Sequence, residues 1–516
     1  MLSTLSFSIL SLAAAQEPTP LMEIGDVIGG TPYHVLRFDK LQINDAGEWH
    51  AQVLWDRATN EFCLVRNGAL AHEFRELLGD GPGAGARWNW THGLSMNEAG
   101  QVFYSMGFTN NPTGLLDDEG LYYEFDSLFA LESDAVLDPA VPAGSRWHDW
   151  DEVQFNDTGT VLADADYEDG TTGVDHRVLV KLGVDPQGLP TGSEEIILRE
   201  GDLLNGSTIL RMPGTSRQSD MNDSGDVIAT VRVSDGGPQK SVIWMNGVEL
   251  ARDGEPSSVG GGLDWSNLEN AMMAVNSRGD YVFTTKLNST SIRDALIVNG
   301  HPLVQYGDAL PDIAPYVLRY LHGKEVDIAD TGDVLWYGSF NDPNGNQDEA
   351  LFLNDRVLVR EGITMIGGVA IEEIETDEFS YFLSDSGRWV VFEATLADGR
   401  EGIYRIDLDP DPTLLPLDPG VAGQVNTATV LNAGPGSRVL VGASSRRGNA
   451  LIQCHGSLLE SGLSAPVAKV AAAVADGAGK VVHSRVVAPS LVGTRWYLQA
   501  LDMDRCRLSN VVPVQF

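Results

Sequence analysis

Two tryptophan-rich phrases are the first places in this sequence where side chains suited to recognition gather. Arg87-Trp88-Asn89-Trp90-Thr91-His92 and Arg146-Trp147-His148-Asp149-Trp150-Asp151 share an Arg-Trp pair. Indole faces stack on sugar rings, and Arg, His and Asp beside them add directional polar anchors. Arg87, Trp88, Trp90, His92, Arg146, Trp147, His148, Trp150 and Asp151 are therefore the candidate ligand-binding residues. His92, His148 and Asp151 would be the acid–base groups of any reaction there. The competing reading is that the indoles only fill gaps between sheets. A second candidate is Asn341 to Asp348, in which Asp342, Asn344, Asn346 and Asp348 place oxygen ligands at alternate positions, as hard Ca²⁺ prefers. Gln347 stands where a calcium loop has glycine, and no late bidentate Glu follows. Asp164, Asp166, Glu168 and Asp169 form a weaker candidate of the same kind. Both stretches also read as solvated hairpin tips. Calcium is the one cofactor these residues suggest.

Enzyme signatures are missing. There is no His-Glu-x-x-His, no Gly-x-Ser-x-Gly and no phosphate loop. Ser384-Asp385-Ser386-Gly387 resembles a sialidase Asp box but fails on spacing. Paired carboxylates are too abundant here to carry information. No catalytic residue is assigned. With 73 acidic against 34 basic side chains the net charge is −39, which argues against nucleic acid and anionic membrane surfaces as partners.

The elements that must position these residues come from a repeat. An apolar residue, Asn, a polar pair and Gly precede an alternating apolar stretch seven times, with glycines at 47, 100, 159, 225, 279, 332 and 387. Asn and Gly at fixed offset make a tight turn, and period-2 alternation after it marks a strand. Two further apolar runs follow each copy, as in Ala350–Leu353 and Arg356–Arg360. With the segment before the Asn, each unit has four strands. Helical periodicity is nearly absent. Seven four-stranded units predict an all-β fold, a seven-bladed β-propeller over residues 16–408. A solenoid is the alternative. Trp88 and Trp147 lie nine residues before Asn97 and Asn156, so they should be equivalent, near the axis. Ala329 and Ser384 replace the Asn, so those two turns must be held differently.

Ring closure has its own signature. Gly-acidic turns (Gly79-Asp80, Gly201-Asp202, Gly254-Glu255, Gly307-Asp308) end the units, with a relative at Glu361-Gly362. The same phrase at Gly25-Asp26 precedes the first unit, and none follows the seventh. The strand at about 20–28 should therefore complete the last blade, since an open ring exposes edges.

Residues 1–15, with the apolar run Leu5–Leu12 and Ala13-Ala14-Ala15, read as a secretory signal peptide, although its first segment lacks Lys and Arg. No stretch is long enough for a membrane-spanning helix. The Pro-rich stretch 409–417 reads as a linker to a small β-sandwich at 418–516. From Asp418 onward there are nine Lys or Arg and five Asp or Glu, net +4, so the preceding part carries −43. Export permits disulfides, and Cys454 pairs with Cys506; Cys63, between Phe62 and Leu64, is a buried free thiol.

The repeat copies, with phrases such as Glu349-Ala-Leu-Phe352 and Leu358-Val-Arg-Glu-Gly362, resemble secreted bacterial tandem-repeat proteins with the Asn-x-x-Gly-x-x-x-Phe repeat. The resemblance spans about residues 21–408 and implies the propeller and export, with no assigned activity. The ending Cys506-Arg-Leu-Ser-Asn510 resembles a short β module appended to exported bacterial proteins.

The expected function is therefore that of an exported, monomeric, non-catalytic propeller binding a carbohydrate or a surface protein. The alternatives are an exported polysaccharide hydrolase or lyase using the channel, and a structural envelope module attached through residues 418–516.

Overall fold

The computed structural model describes residues 18–516 except 58–60, 74–75, 78–85, 110–118, 126, 213–217, 260–261, 289–293, 378, 409–411, 435, 456 and 477–478. The proposed signal peptide and the Gly79-Asp80 turn lie outside the described residues. The chain divides into two compact units, Met1–Leu408 and Asp409–Phe516. Both are all-β; no α-helix occurs among the described residues, only three short 3₁₀ turns. No described helix is long and apolar enough to cross a membrane.

The first unit holds seven antiparallel sheets, each built on four principal strands. The first runs Val35–Ile43, Trp49–Trp55, Phe62–Arg66, Ala69–Glu73, in chain order across the sheet. The second and third repeat the pattern from Arg87–Met96 and Arg146–Phe155. Some units interrupt their first strand, as in Ser207–Arg211 and Ser219–Met221, which both pair with Val227–Ser234. The strand after each Asn-Gly turn is mostly buried; Val334–Phe340 is buried at every position. That happens because both faces of a sheet meet neighbours.

The cores show the order of those neighbours. Leu64 of the first sheet packs with Trp88, Tyr104 and Phe125 of the second. Phe103 of the second packs with Trp150 and Val180 of the third. The third and fourth, fourth and fifth, fifth and sixth, and sixth and seventh sheets share cores in turn. The seventh sheet (Phe382, Trp389, Val391) packs with Trp49, Val53 and Trp55 of the first. Seven shared cores thus close a cycle. The seventh sheet takes its outermost strand from the start of the chain: Thr19–Glu23 pairs antiparallel with Glu401–Asp407. Arg400 Nη1 reaches Glu23 Oε1 at 2.9 Å across that seam.

The second unit has a three-stranded sheet (Thr413–Leu414, Val425–Leu431, Val481–Val486) and a five-stranded sheet centred on Arg438–Ser444 and Arg495–Asp502, with one core between them. Thr413 and Leu414, inside the Pro-rich stretch, pair with Leu431 and Val430, so they belong to this unit. Cys454 and Cys506 are disulfide-bonded, and Cys63 is a buried free thiol.

Candidate functional site

The Asn-x-x-Gly turns do more than reverse the chain. In five copies the buried Asn accepts a hydrogen bond through Oδ1 from the backbone N–H four residues on: Asn44 from Glu48, Asn97 from Gln101, Asn156 from Thr160, Asn222 from Asp226 and Asn276 from Asp280, all at 2.8–2.9 Å. Glycine closes each turn with φ between 72 and 88°, which a side chain rarely tolerates. Nδ2 then reaches into the next unit: Asn156 to Asn222 O at 3.0 Å, Asn222 to Asn276 O at 2.6 Å and Asn276 to Ala329 O at 2.8 Å. The two copies without Asn are held differently, as expected. Ser384 Oγ accepts from Trp389 N, and at Ala329 the turn relies on Thr331 Oγ1 bonded to Asp333.

The residue after the Asn position joins the turns into a ring. Asp45 N–H donates to Glu98, Glu98 N–H to Asp157 Oδ1 at 2.8 Å, and Asp157 N–H to Asp223 Oδ1 at 2.9 Å. Ser277 Oγ donates to Asp223 Oδ2 at 3.0 Å, and Ser277 N–H to Asp330 Oδ1 at 2.7 Å. Asp330 N–H donates to Asp385 O, and Ser386 N–H returns to Asp45 Oδ1 at 2.6 Å. Six of the seven ring positions are carboxylic acids.

Inside this ring lies a narrow channel of about 140 Å³ lined by residues of all seven sheets. Its carboxyl groups include Glu98, Asp157, Asp223, Asp385, Asp220 and Asp327, and no Lys, Arg or His is among its described lining residues. The cations bond instead to glycine carbonyls of the turns: Arg66 to Gly100 O, Lys181 to Gly225 O and Arg405 to Gly47 O. Burial and neighbouring like charges make a carboxyl group resist ionisation. Burial and then the charge of Asp45 push Glu98 up to about 8. Burial and the Asp223 charge raise Asp157 and Asp330, and burial with Glu98 and Asp330 nearby raises Asp385 well above the carboxylate range. Gln154 Oε1, buried with no hydrogen-bond partner among the described residues, belongs to the same lining.

The sequence reading did not pick out the ring acids, although the acidic column in the repeat was visible. Its tryptophan platform is corrected by the structure. Trp88 and Trp147 do occupy equivalent places, opposite Phe108 and Tyr167. Both are buried, and so is Trp150, at 0, 2 and 0 % exposure. Trp88 packs on Phe125, and Trp147 on Trp150 with centroids 4.6 Å apart. Their faces belong to the cores between sheets, so they cannot form a stacking surface. Trp90 and His92 are partly exposed and touch edge to face. Arg87 is half-buried. Arg146 and His148 are exposed, His148 lying 3.4 Å from Asp175. Asp151 is held by Arg177, which also binds Asp164 at 2.8 Å.

Around His92 the structure brings together acids from two strands and the turn that follows a third. His92 Nε2 lies 3.0 Å from Glu119 Oε1, and Glu119, Asp149 and buried Glu132 converge. Burial alone would raise Glu119, but hydrogen bonds from His92 and Asp149 overcome it and hold it at about 2. Burial and the Glu119 carboxylate push Asp149 up to about 8. Glu119 sits on the third strand of its sheet, so only tertiary pairing could reveal it.

At the proposed calcium loop, 342–348, the acids have partners of their own. Asp342 Oδ2 binds Arg360 Nη2 at 2.7 Å and Oδ1 takes Asn344 N–H at 2.9 Å, while Asn344 Oδ1 faces Asn346 N–H at 3.4 Å. A guanidinium stands at the first ligand position, and burial raises Asp348. In the other acidic stretch Asp164 is taken by Arg177 and Asp169 caps Thr171 and Thr172. Asp166 and Glu168 lie on the strand Thr160–Glu168.

The chain belongs to a family of unknown function (DUF7453), whose profile matches residues 58–356. No curated protein matches the sequence. Among solved structures, the Dos1 propeller is 10% identical, covering 61% of this chain and 91% of its own, with a TM-score of 0.25. Penicillium chrysogenum α-L-arabinanase complexed with arabinobiose is 11% identical, covering 62% and 93%, also at 0.25. An engineered GH43 glycoside hydrolase is 11% identical, covering 83% and 93%, at 0.19. At such scores these likenesses carry no argument about site or activity.

Proposed function

We propose that this member of a family of unknown function is an exported seven-bladed β-propeller, followed by a small β-sandwich, that binds a divalent cation of the calcium type on its axis without catalysing a reaction. The observation that carries the reading is the ring of turns. Six acids stand in the ring, four of them (Glu98, Asp157, Asp223 and Asp385) line a channel with no basic group among its described lining residues, and burial with neighbouring carboxylates raises Glu98, Asp157, Asp330 and Asp385. Hard cations choose such oxygen-rich sites, and a volume of about 140 Å³ suits an ion with its waters better than a sugar. The cycle of seven shared cores and the N-terminal closing strand support the blade count. The repeat resemblance and the disulfide support export.

The carbohydrate reading loses its main support because Trp88, Trp147 and Trp150 are buried. The hydrolase reading rests on Glu119 and Asp149, whose carboxylate oxygens lie within 4.8 Å of one another beside Glu132. A surface protein presenting a cationic group to the ring remains the alternative partner. Isothermal titration of CaCl₂ into the chelator-treated chain at pH 8 tests the reading. Saturable binding, lost in Glu98→Gln, is expected; no heat of binding up to millimolar calcium would overturn it.

A further inference from the structure

The second unit contains a cleft that its own core leaves unfilled. The three-stranded sheet ends on Val481–Val486 and the five-stranded sheet on Ala468–Val474. These strands are consecutive in the chain, yet each pairs only with its own sheet, through Val425–Leu431 and Arg438–Ser444. Two sheet edges therefore face one another unpaired, and between them opens a cavity of about 320 Å³. Ala428, Ala443 and Ala471 stand where larger side chains would have filled it, and Leu498, Trp496 and Phe516 complete an apolar wall. Interiors are close-packed, so space of this size beside alanines is a built feature, and it falls within the ~300–1,000 Å³ of ligand pockets.

Its polar groups are few. Arg485, His483 and Asn426 line the cleft, and no carboxylate is among its described lining residues. Lys469 joins them on the adjoining lip. Arg485 has no carboxylate partner among the described residues; its one bond is a long 3.4 Å contact across the gap to Val470 O. Most of its five donors are thus available, and the guanidinium fork suits a carboxylate. That same bridge occupies the space between the edges that an added backbone strand would need.

We propose that this cleft binds an amphiphilic anion, an apolar chain lying against Trp496, Leu498 and Phe516 with its carboxylate on Arg485, assisted by His483 and Lys469. The site is independent of the axial channel, and its failure would leave the cation reading untouched.

The test is calorimetric titration of the full chain at pH 7 with sodium decanoate below its micellar concentration, with decanol and decyltrimethylammonium as comparisons. Decanoate should bind once per chain, decanol at least ten-fold more weakly, and the ammonium amphiphile not at all. Arg485→Gln, at an exposed position, should weaken decanoate about ten-fold with an unchanged melting temperature. Ala443→Phe should remove binding by filling the cleft. Equal binding of all three amphiphiles, unaltered affinity in Arg485→Gln, or no decanoate binding at millimolar concentration would each overturn the proposal.

Discussion

Ser386 N–H donates to Asp45 Oδ1 at 2.6 Å, joining residues 341 positions apart and completing a hydrogen-bonded cycle that starts at Asp45 itself. The bond sits where the first and seventh sheets share a core, close to Trp389, whose Nε1 donates to Asp45 O at 3.0 Å. Closure is thus made three times: by the ring of turns, by the core around Trp49 and Trp389, and by the strand Thr19–Glu23.

Deleting residues 18–23 should remove the third closure and expose the edge of Glu401–Asp407. Unpaired edges invite pairing with other chains. The truncated protein is expected to unfold at lower urea and to elute partly as oligomers in size-exclusion chromatography. An unchanged monomer of unchanged stability would show that the seam does not depend on this strand.

Asn222→Ala should cost about 2–4 kcal/mol, because it removes two bonds within its turn and one to the next and leaves backbone groups unpaired. Denaturant titration measures it. The turn at Ala329, which lacks the Asn, should show no comparable loss when Asp330→Asn is made.

Trp88→Ala should destabilise the first unit by about 3–5 kcal/mol, as large aromatic deletions from cores do. Trp90→Ala, at a partly exposed position, should cost far less. Thermal melts of both variants decide between core and platform: equal, small losses would restore the surface reading of Trp88.

Stability should fall as pH rises from about 5 to about 8. Glu98 and Asp149 hold protons in the folded protein up to about 8, whereas unfolded carboxyls lose them near 4. In that window the folded state binds more protons, so raising pH favours unfolding. Below the unfolded values the proton-linked stability is fully present. Glu98→Gln should flatten the profile measured by calorimetry, and calcium should restore stability at pH 8 in the native sequence.

Reduction of Cys454–Cys506, which are 52 residues apart, should destabilise the second unit by about 4 kcal/mol on chain-entropy grounds. The first unit should melt unchanged with and without reductant.

The strands and turns were legible in the sequence because Asn, Gly and period-2 alternation act locally, and Thr19–Glu23 was legible through its Gly-acidic turn. The orientation of Trp88 was not. Equal offsets from Asn97 and Asn156 gave its equivalence to Trp147, but the register shifts between Trp88 and Trp90 and between Trp147 and Asp149 break the alternation that would assign a face. The Asp342 loop misled because Arg360, its partner, is distant in pattern though only eighteen residues on. Asp45, Glu98 and Asp157 stood in one column of the repeat, yet only closure brings that column to a single axis.

An anomalous difference map from crystals soaked in manganese tests the axial site most directly. The account predicts one strong peak inside the ring, among Glu98, Asp157, Asp223 and Asp385. An empty axis, or a peak only at the Asp342 loop, would contradict it.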